Sequence, residues 1–304
     1  MSRKAIRLIG GIVGFVCAPL GCTQNNQTVP DCPTASDGNV PGQSSQRITF
    51  PATIDGSEYT LEAMIYQPED GRALHPFILL SHGRQGPNPA RNLLEVCGMA
   101  PLGEALAARG YIVMMLVRRG YGNSQGPDSE YLETAEASGL AGAKDVASGV
   151  EYMRKQPGVD ASRMALMGHS QGGWVTLAAS TLPIDGVLGA VNLSGGINFQ
   201  QEHGTTIRAS PVGEVHMYHS AQIYGAAASV PSSWIYAEND NFRTDSVRAW
   251  LSGFQQAGGT ATLAVTPAYG TGTDGHSSTA QPAVIMDNLT SFFGAIGLGP
   301  DGQD

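Results

Sequence analysis

From Arg47 onward, short apolar runs alternate with longer amphipathic ones, and each run is the length of a strand or a helix. Ile48–Phe50 and Tyr59–Tyr66 (YTLEAMIY) read as antiparallel strands, with Asp55-Gly56 as the turn between them. Pro76–Leu80 (PFILL) and Tyr111–Val117 (YIVMMLV) are continuously apolar, which suits strands buried on both faces. Between them Leu102–Arg109 is an Ala-rich helical stretch stopped by Gly110. Ala135–Arg154 reads as a helix, Arg163–Met167 as a strand and Trp174–Ser180 as a helix. Gly189–Leu193, Trp234–Ala237 and Ala261–Val265 are strand-like, and a last helix runs from Pro282 to Phe293.

Buried strands that alternate with helices define an α/β protein whose mostly parallel sheet is covered on both faces. The two leading strands add an antiparallel edge. Ile197–Pro231 carries no clear strand signal and is expected to form a small cap over the carboxyl edge of the sheet, where such sheets bind ligands.

Ahead of this pattern the chain is different. Arg3, Lys4 and Arg7 precede an apolar run, Leu8–Leu20, which is short for a membrane span and fits the core of an export signal. Gly21-Cys22 resembles a lipidation site, so residues 1–22 are read as a signal peptide, either simply cleaved or lipid-modified at Cys22. Residues 23–46 are polar with Pro and Gly, as in a flexible linker, and 47–304 form the folded domain. Export implies a periplasmic or secreted location with possible membrane attachment through Cys22. It also makes Cys32 and Cys97, the two cysteines beyond the signal, a candidate disulfide. With 41% hydrophobic and 14% charged residues the chain can bury a sizeable core. A net charge of −9 provides no basic footprint for nucleic acid.

Gly168-His169-Ser170-Gln171-Gly172 matches G-x-S-x-G, but so does Gly122-Asn123-Ser124-Gln125-Gly126. In a chain this rich in Gly and Ser the pattern alone decides nothing. Context separates the two. A nucleophile elbow needs a buried strand that delivers the serine and a helix that starts at once behind it. Arg163–Met167 and the Trp174 helix supply both around Ser170, whereas Ser124 runs into Pro127-Asp128 and reads as a loop.

A serine hydroxyl needs a base, and the base needs an acid to orient it. His276 lies alone in the Gly-rich loop GTGTDGHSST, between the last strand and the last helix. His203, His216 and His219 fall in the expected cap, and the 216/219 pair has no third partner that would make a metal site. For the acid, Asp240 follows the Trp234 strand, with Glu238 and Asp245 as alternatives. An oxyanion hole needs two backbone N–H groups. Gln171 is placed to give one, and the loop SHGRQG after Pro76–Leu80 the other, from Gly83 or Arg84. His82 reads as a brace for that loop, and the Arg84 side chain as solvated rather than as a contact to an acidic substrate.

The His82-Gly83 loop, RGYGNSQG, GHSQGG, YAEND and DGH, in this order, resemble the α/β-hydrolase superfamily. More narrowly they are similar to its dienelactone-hydrolase-like and prolyl-oligopeptidase-like serine esterases, over about Ile48 to Leu298. The resemblance implies a central sheet of about eight strands and ester or peptide hydrolysis without a cofactor. Dienelactone hydrolases proper carry a cysteine nucleophile, so Ser170 departs from them. The expected activity is hydrolysis of a small carboxylic ester through an acyl-enzyme on Ser170. The rivals are a peptidase of the prolyl-oligopeptidase type, disfavoured by the lack of a propeller-sized segment before Arg47, and a non-catalytic surface lipoprotein that keeps the fold.

Overall fold

The structure is a computed structural model that describes residues 42–84, 99–128, 134–197 and 211–299. The signal reading of 1–22 with Cys22, the linker as far as residue 41, the Cys32–Cys97 pair and His203 all lie outside the described residues. Eight strands form one sheet in the order β1-β2-β4-β3-β5-β6-β7-β8. They are β1 (Gln43–Ile54), β2 (Ser57–Pro68), β3 (His75–Ser81), β4 (Ile112–Val117), β5 (Val159–His169), β6 (Val187–Leu193), β7 (Ser232–Ala237) and β8 (Ala261–Thr266). β1 and β2 form a hairpin, and β2 also lies antiparallel to β4; every other pairing is parallel. Asp55 and Gly56 both have positive φ (52° and 77°), which a tight two-residue turn between twisted strands requires.

β1 starts at Gln43 rather than at Arg47, so the expected linker 23–46 gives up its last four residues to the sheet. The polar Gln43-Ser44-Ser45-Gln46 pairs through its backbone with Pro68 back to Ile65. Ser45 and Gln46 stay exposed, so at this edge the ladder makes a strand without an apolar pattern.

Every residue of β3 and β4 is buried. Along β4, Ile112, Met114 and Leu116 point to one face while Val113, Met115 and Val117 point to the other. The first face is covered by α2 (Ala135–Met153), α3 (Gln171–Ala179), α4 (Pro211–Ala227) and α5 (Thr244–Gln256), the second by α1 (Ala100–Ala107) and α6 (Met286–Ala295). A 3₁₀ turn at Pro282–Val284 precedes α6, so the last helix begins four residues later than its proline suggests.

Pro211–Ala227 was expected to contribute to a cap. It is instead a crossover helix between β6 and β7 that packs into the core. Met217, Ala221 and Tyr224 are buried, and the Tyr224 hydroxyl donates to the carbonyls of Ala135 (3.1 Å) and Glu136 (3.0 Å) on α2. Trp174 of α3 stands at the centre of that layer, with ring centroids of Tyr224, Trp234 and Trp250 at 5.8, 6.1 and 5.9 Å. Burying so much aromatic area in one knot ties α3, and with it the residues at its start, firmly to the sheet. His216 and His219 lie on the exposed side of α4. Among the described residues no three His, Cys, Asp or Glu side chains gather as a metal site.

Parallel β3, β5, β6, β7 and β8 bring their carboxyl ends to one edge. Gly83, Ser170, Ser194, Asp240 and the 270–279 loop all follow directly on those ends.

Candidate active site

Ser170 joins β5 to α3 in a single step and has φ 55° and ψ −123°. A non-glycine residue rarely takes this conformation, and the surroundings enforce it. The Ser170 amide donates to Leu193 O (2.9 Å), and its carbonyl accepts from Gly173 N (2.9 Å) and Gly196 N (3.1 Å). The glycines of the pentapeptide have a steric reason. A Cβ on Gly172 would stand 2.2 Å from Ser81 O, and one on Gly168 would stand 2.1 Å from Gly172 O. Nothing larger than hydrogen fits at either place.

The 270–279 loop carries His276 over the elbow. Asn239 shapes it: its Nδ2 donates to Tyr269 O (2.8 Å), and its Oδ1 accepts from Tyr269 N (3.2 Å). His276 Nε2 lies 3.0 Å from Ser170 Oγ and His276 Nδ1 lies 2.9 Å from Asp240 Oδ1. A carboxylate only accepts, so Nδ1 carries the imidazole proton and Nε2 is left to accept from the serine hydroxyl. Asp240 Oδ1 also accepts from Phe242 N (3.0 Å). Burial of Asp240 pushes its pKa up. The hydrogen bond and charge of His276, the Ser194 hydroxyl and the Phe242 amide outweigh that, so the carboxyl sits below its ordinary value and stays ionised at neutral pH. The two alternative acids are elsewhere: Glu238 is exposed beside Ala268, and the Asp245 side chain is 89% exposed.

Gly83 lies directly against the nucleophile, where a Cβ would be 3.1 Å from Ser170 Cβ. The Gly83 backbone is therefore close to Ser170, and Gln171 follows Ser170 as the first residue of α3. Arg84 is half-buried and is the last described residue of that loop. His82 is buried with Nδ1 donating to Gly83 O (2.6 Å) and Nε2 accepting from Arg118 N (3.1 Å). Burial and the Arg118 charge hold its pKa well below the ordinary histidine value, so it is a neutral brace.

Ser124 is buried and reaches two strands, at positions 7 and 62 residues before it in sequence. Its hydroxyl donates to Val117 O (2.6 Å) and accepts from Glu62 N (2.8 Å), so the second pentapeptide stitches β2 to β4.

The residue before the nucleophile is a further participant that the motif did not single out. His169 Nε2 donates to the His276 carbonyl (2.5 Å) and so fixes the backbone of the base. Burial, and then the neighbouring His276, lower the His169 pKa to about 4. The unfolded chain therefore binds a proton at His169 between its ordinary value and about 4 while the folded chain does not, so stability falls as pH drops through that window. Urea unfolding at pH 7, 5.5 and 4.5 should show this decline, and His169→Gln should flatten it relative to the parent.

The eight-stranded sheet, its order and the elbow after β5 define the α/β-hydrolase fold, here with a serine, a histidine and an aspartate joined by hydrogen bonds at its carboxyl edge. Residues 103–184, which include the elbow, match the model of the prolyl oligopeptidase family. No curated protein sequence matches the chain. Among solved structures, a Klebsiella pneumoniae protein assigned as a dienelactone hydrolase superposes with a TM-score of 0.54 at 15% identity, over 83% of this chain and 99% of that one. The Pyrococcus furiosus esterase Pf2001 gives 0.59 at 16%, over 83% and 91%. The acylaminoacyl peptidase of Pyrococcus horikoshii gives 0.58 at 18%, over 86% of this chain but 43% of its own. At these identities the likeness is one of fold.

Proposed function

We propose that this protein is a serine hydrolase that cleaves small carboxylic esters. The observation that carries the reading is the continuous chain Ser170 Oγ–His276–Asp240, at 3.0 and 2.9 Å. Ser170 Oγ attacks the ester carbonyl as His276 Nε2 takes its proton. The carbonyl oxygen, now negative, is held by the N–H groups of Gln171 and Gly83. His276 then passes the proton to the leaving alcohol, and Asp240 stabilises the imidazolium that exists between the two transfers. A water deprotonated by His276 releases the acid from Ser170.

The family match to prolyl oligopeptidases supports a second reading, hydrolysis of a peptide bond. The two are separated by the leaving group: an amide nitrogen must be protonated before it departs, which demands more of the acid than an alkoxide does. A panel of p-nitrophenyl esters of increasing acyl length, set against aminoacyl p-nitroanilides, decides between them. We expect turnover of the short esters, with kcat/KM for the matched anilides lower by about 10²-fold or more. Comparable values for the two would move the assignment to a peptidase. The sequence of residues 1–22 supports a location outside the cytoplasm, with Cys22 as the point of attachment if it is lipidated.

A further inference from the structure

A guanidinium is buried directly beneath the candidate oxyanion hole. Arg118 follows the last residue of β4 and is fully buried. Its aliphatic stem passes between α2 and α3, so that a Cβ on Gly142 would meet Arg118 Cδ at 3.5 Å. Its head reaches three acceptors among the described residues. Nη1 donates to Ser81 Oγ (2.7 Å) and to the His82 carbonyl (2.5 Å), and Nη2 donates to Gln171 Oε1 (2.8 Å). The Tyr121 hydroxyl donates to the same Gln171 oxygen (3.2 Å), and the Tyr121 ring lies 5.4 Å from the guanidinium carbon. The neighbouring arginine behaves differently. Arg119 takes both oxygens of the buried Asp145, through its amide (3.1 Å) and its Nε (2.5 Å).

A cation is costly to bury, and its partners show what it does there. These three acceptors sit on the segment that ends in Gly83, next to Ser170, and on the residue that follows Ser170. The His82 carbonyl belongs to the peptide unit whose N–H is that of Gly83. A charged donor on the carbonyl oxygen draws electron density along that peptide and makes its N–H a stronger donor. Gln171 carries the other N–H, and its side chain is clamped by the same guanidinium. The cation also adds a positive potential on the side of the elbow where negative charge develops.

We propose that Arg118 is a positioning residue for the oxyanion hole, which polarises the Gly83 N–H through the His82 carbonyl and pins Gln171 so that both donors converge on the tetrahedral oxygen. The proposal rests on the serine-hydrolase reading. It adds that transition-state stabilisation in this protein depends on a buried charge that never touches the substrate.

The test compares Arg118→Met, Arg118→Lys and Gln171→Met with the parent. Two readouts are needed: kcat and KM for a short p-nitrophenyl ester per site titrated with a fluorophosphonate, and the affinity of phenylboronic acid, whose tetrahedral serine adduct puts an oxygen in the hole. Loss of oxyanion support lowers kcat and boronate affinity together and leaves KM nearly unchanged. We expect about 30-fold losses in both for Arg118→Met, about 5-fold for Gln171→Met, and partial recovery in Arg118→Lys, because one lost oxyanion donor costs about 10²- to 10³-fold and here both donors remain. If Arg118→Met fails to fold, Gln171→Met and Arg118→Lys decide. A lower melting temperature with kcat per titrated site and boronate affinity unchanged in those variants would overturn the proposal. A parent that turns over no ester, yet binds boronate in an Arg118-dependent way, would overturn the ester reading and leave this inference standing.

Discussion

Replacing Ser170 with alanine is expected to remove ester turnover, with kcat falling by about 10⁴- to 10⁶-fold, because Ser170 Oγ is the hydroxyl that faces His276 Nε2 among the described residues. The His276 Nε2 that faces Ser170 Oγ at 3.0 Å then has no hydroxyl to deprotonate. Folding should survive. Alanine adds nothing to the elbow, and the bonds from the Ser170 amide and carbonyl to Leu193, Gly173 and Gly196 are made by backbone. The matching control is Ser124→Ala, which leaves kcat per folded molecule intact but removes a buried hydroxyl. The Glu62 amide loses its acceptor and the Val117 carbonyl its donor, so stability drops by about 1–3 kcal/mol. Kinetics with denaturant unfolding on both variants distinguishes the two pentapeptides: one change removes catalysis and spares the fold, the other does the reverse.

Replacing Asp240 with alanine should cost about 10⁴-fold in kcat, since His276 loses both its orientation and the charge that stabilises its protonated form. Asp240→Asn should be milder by about 10-fold, for a reason specific to this site. Oδ1 accepts two hydrogen bonds, from His276 Nδ1 and from Phe242 N, while Oδ2 is buried with no partner among the described residues, so an asparagine keeps its carbonyl oxygen at Oδ1 and puts its amide nitrogen in the Oδ2 position. The histidine then retains its proton on Nδ1 and only the negative charge is lost. Equal losses in the two variants would show instead that the amide turns towards His276 and forces the wrong tautomer. The same geometry has a pH consequence. Because the folded state lowers the Asp240 pKa, its contribution to stability is present above the ordinary carboxylate value and is lost as pH falls through the folded value.

The sheet was legible wherever burial on two faces left unbroken apolar runs, as in PFILL and IVMMLV, and the order of motifs along the chain was enough to pick out Ser170, Asp240 and His276, which the structure brings together. The two helices that the pattern did not reveal differ in kind. In α5 the signal is present, with Val247, Trp250, Leu251 and Phe254 buried at i, i+3, i+4 and i+7. In α4 it is blurred, because Gly213, His216, Ser220 and Gly225 interrupt the run and the helix is held by Tyr224 and its hydroxyl rather than by a broad apolar stripe. The polar start of β1 was hidden because backbone pairing alone makes it a strand. At the site the same division holds. Ser170 and Gln171 are local to one motif, and Asp240 and His276 follow from chain order. Arg118, Ser194 and His169 matter only because the order β4-β3-β5-β6-β7 sets distant segments side by side, which no spacing in the sequence reveals. The pair Arg118-Arg119 at the end of a buried strand was the available signal, since two cations at the carboxyl edge of such a sheet must be held by something.

The central claim is that Ser170 is an activated nucleophile. Reaction of the folded protein with a fluorophosphonate, followed by mass mapping of its peptides, tests it without any assumption about the substrate. The account predicts one phosphonyl group per molecule, carried by Ser170 and absent in Ser170→Ala. An unlabelled protein would contradict it and favour a fold kept for binding alone, and a label at Ser124 or another residue would contradict it by moving the nucleophile there.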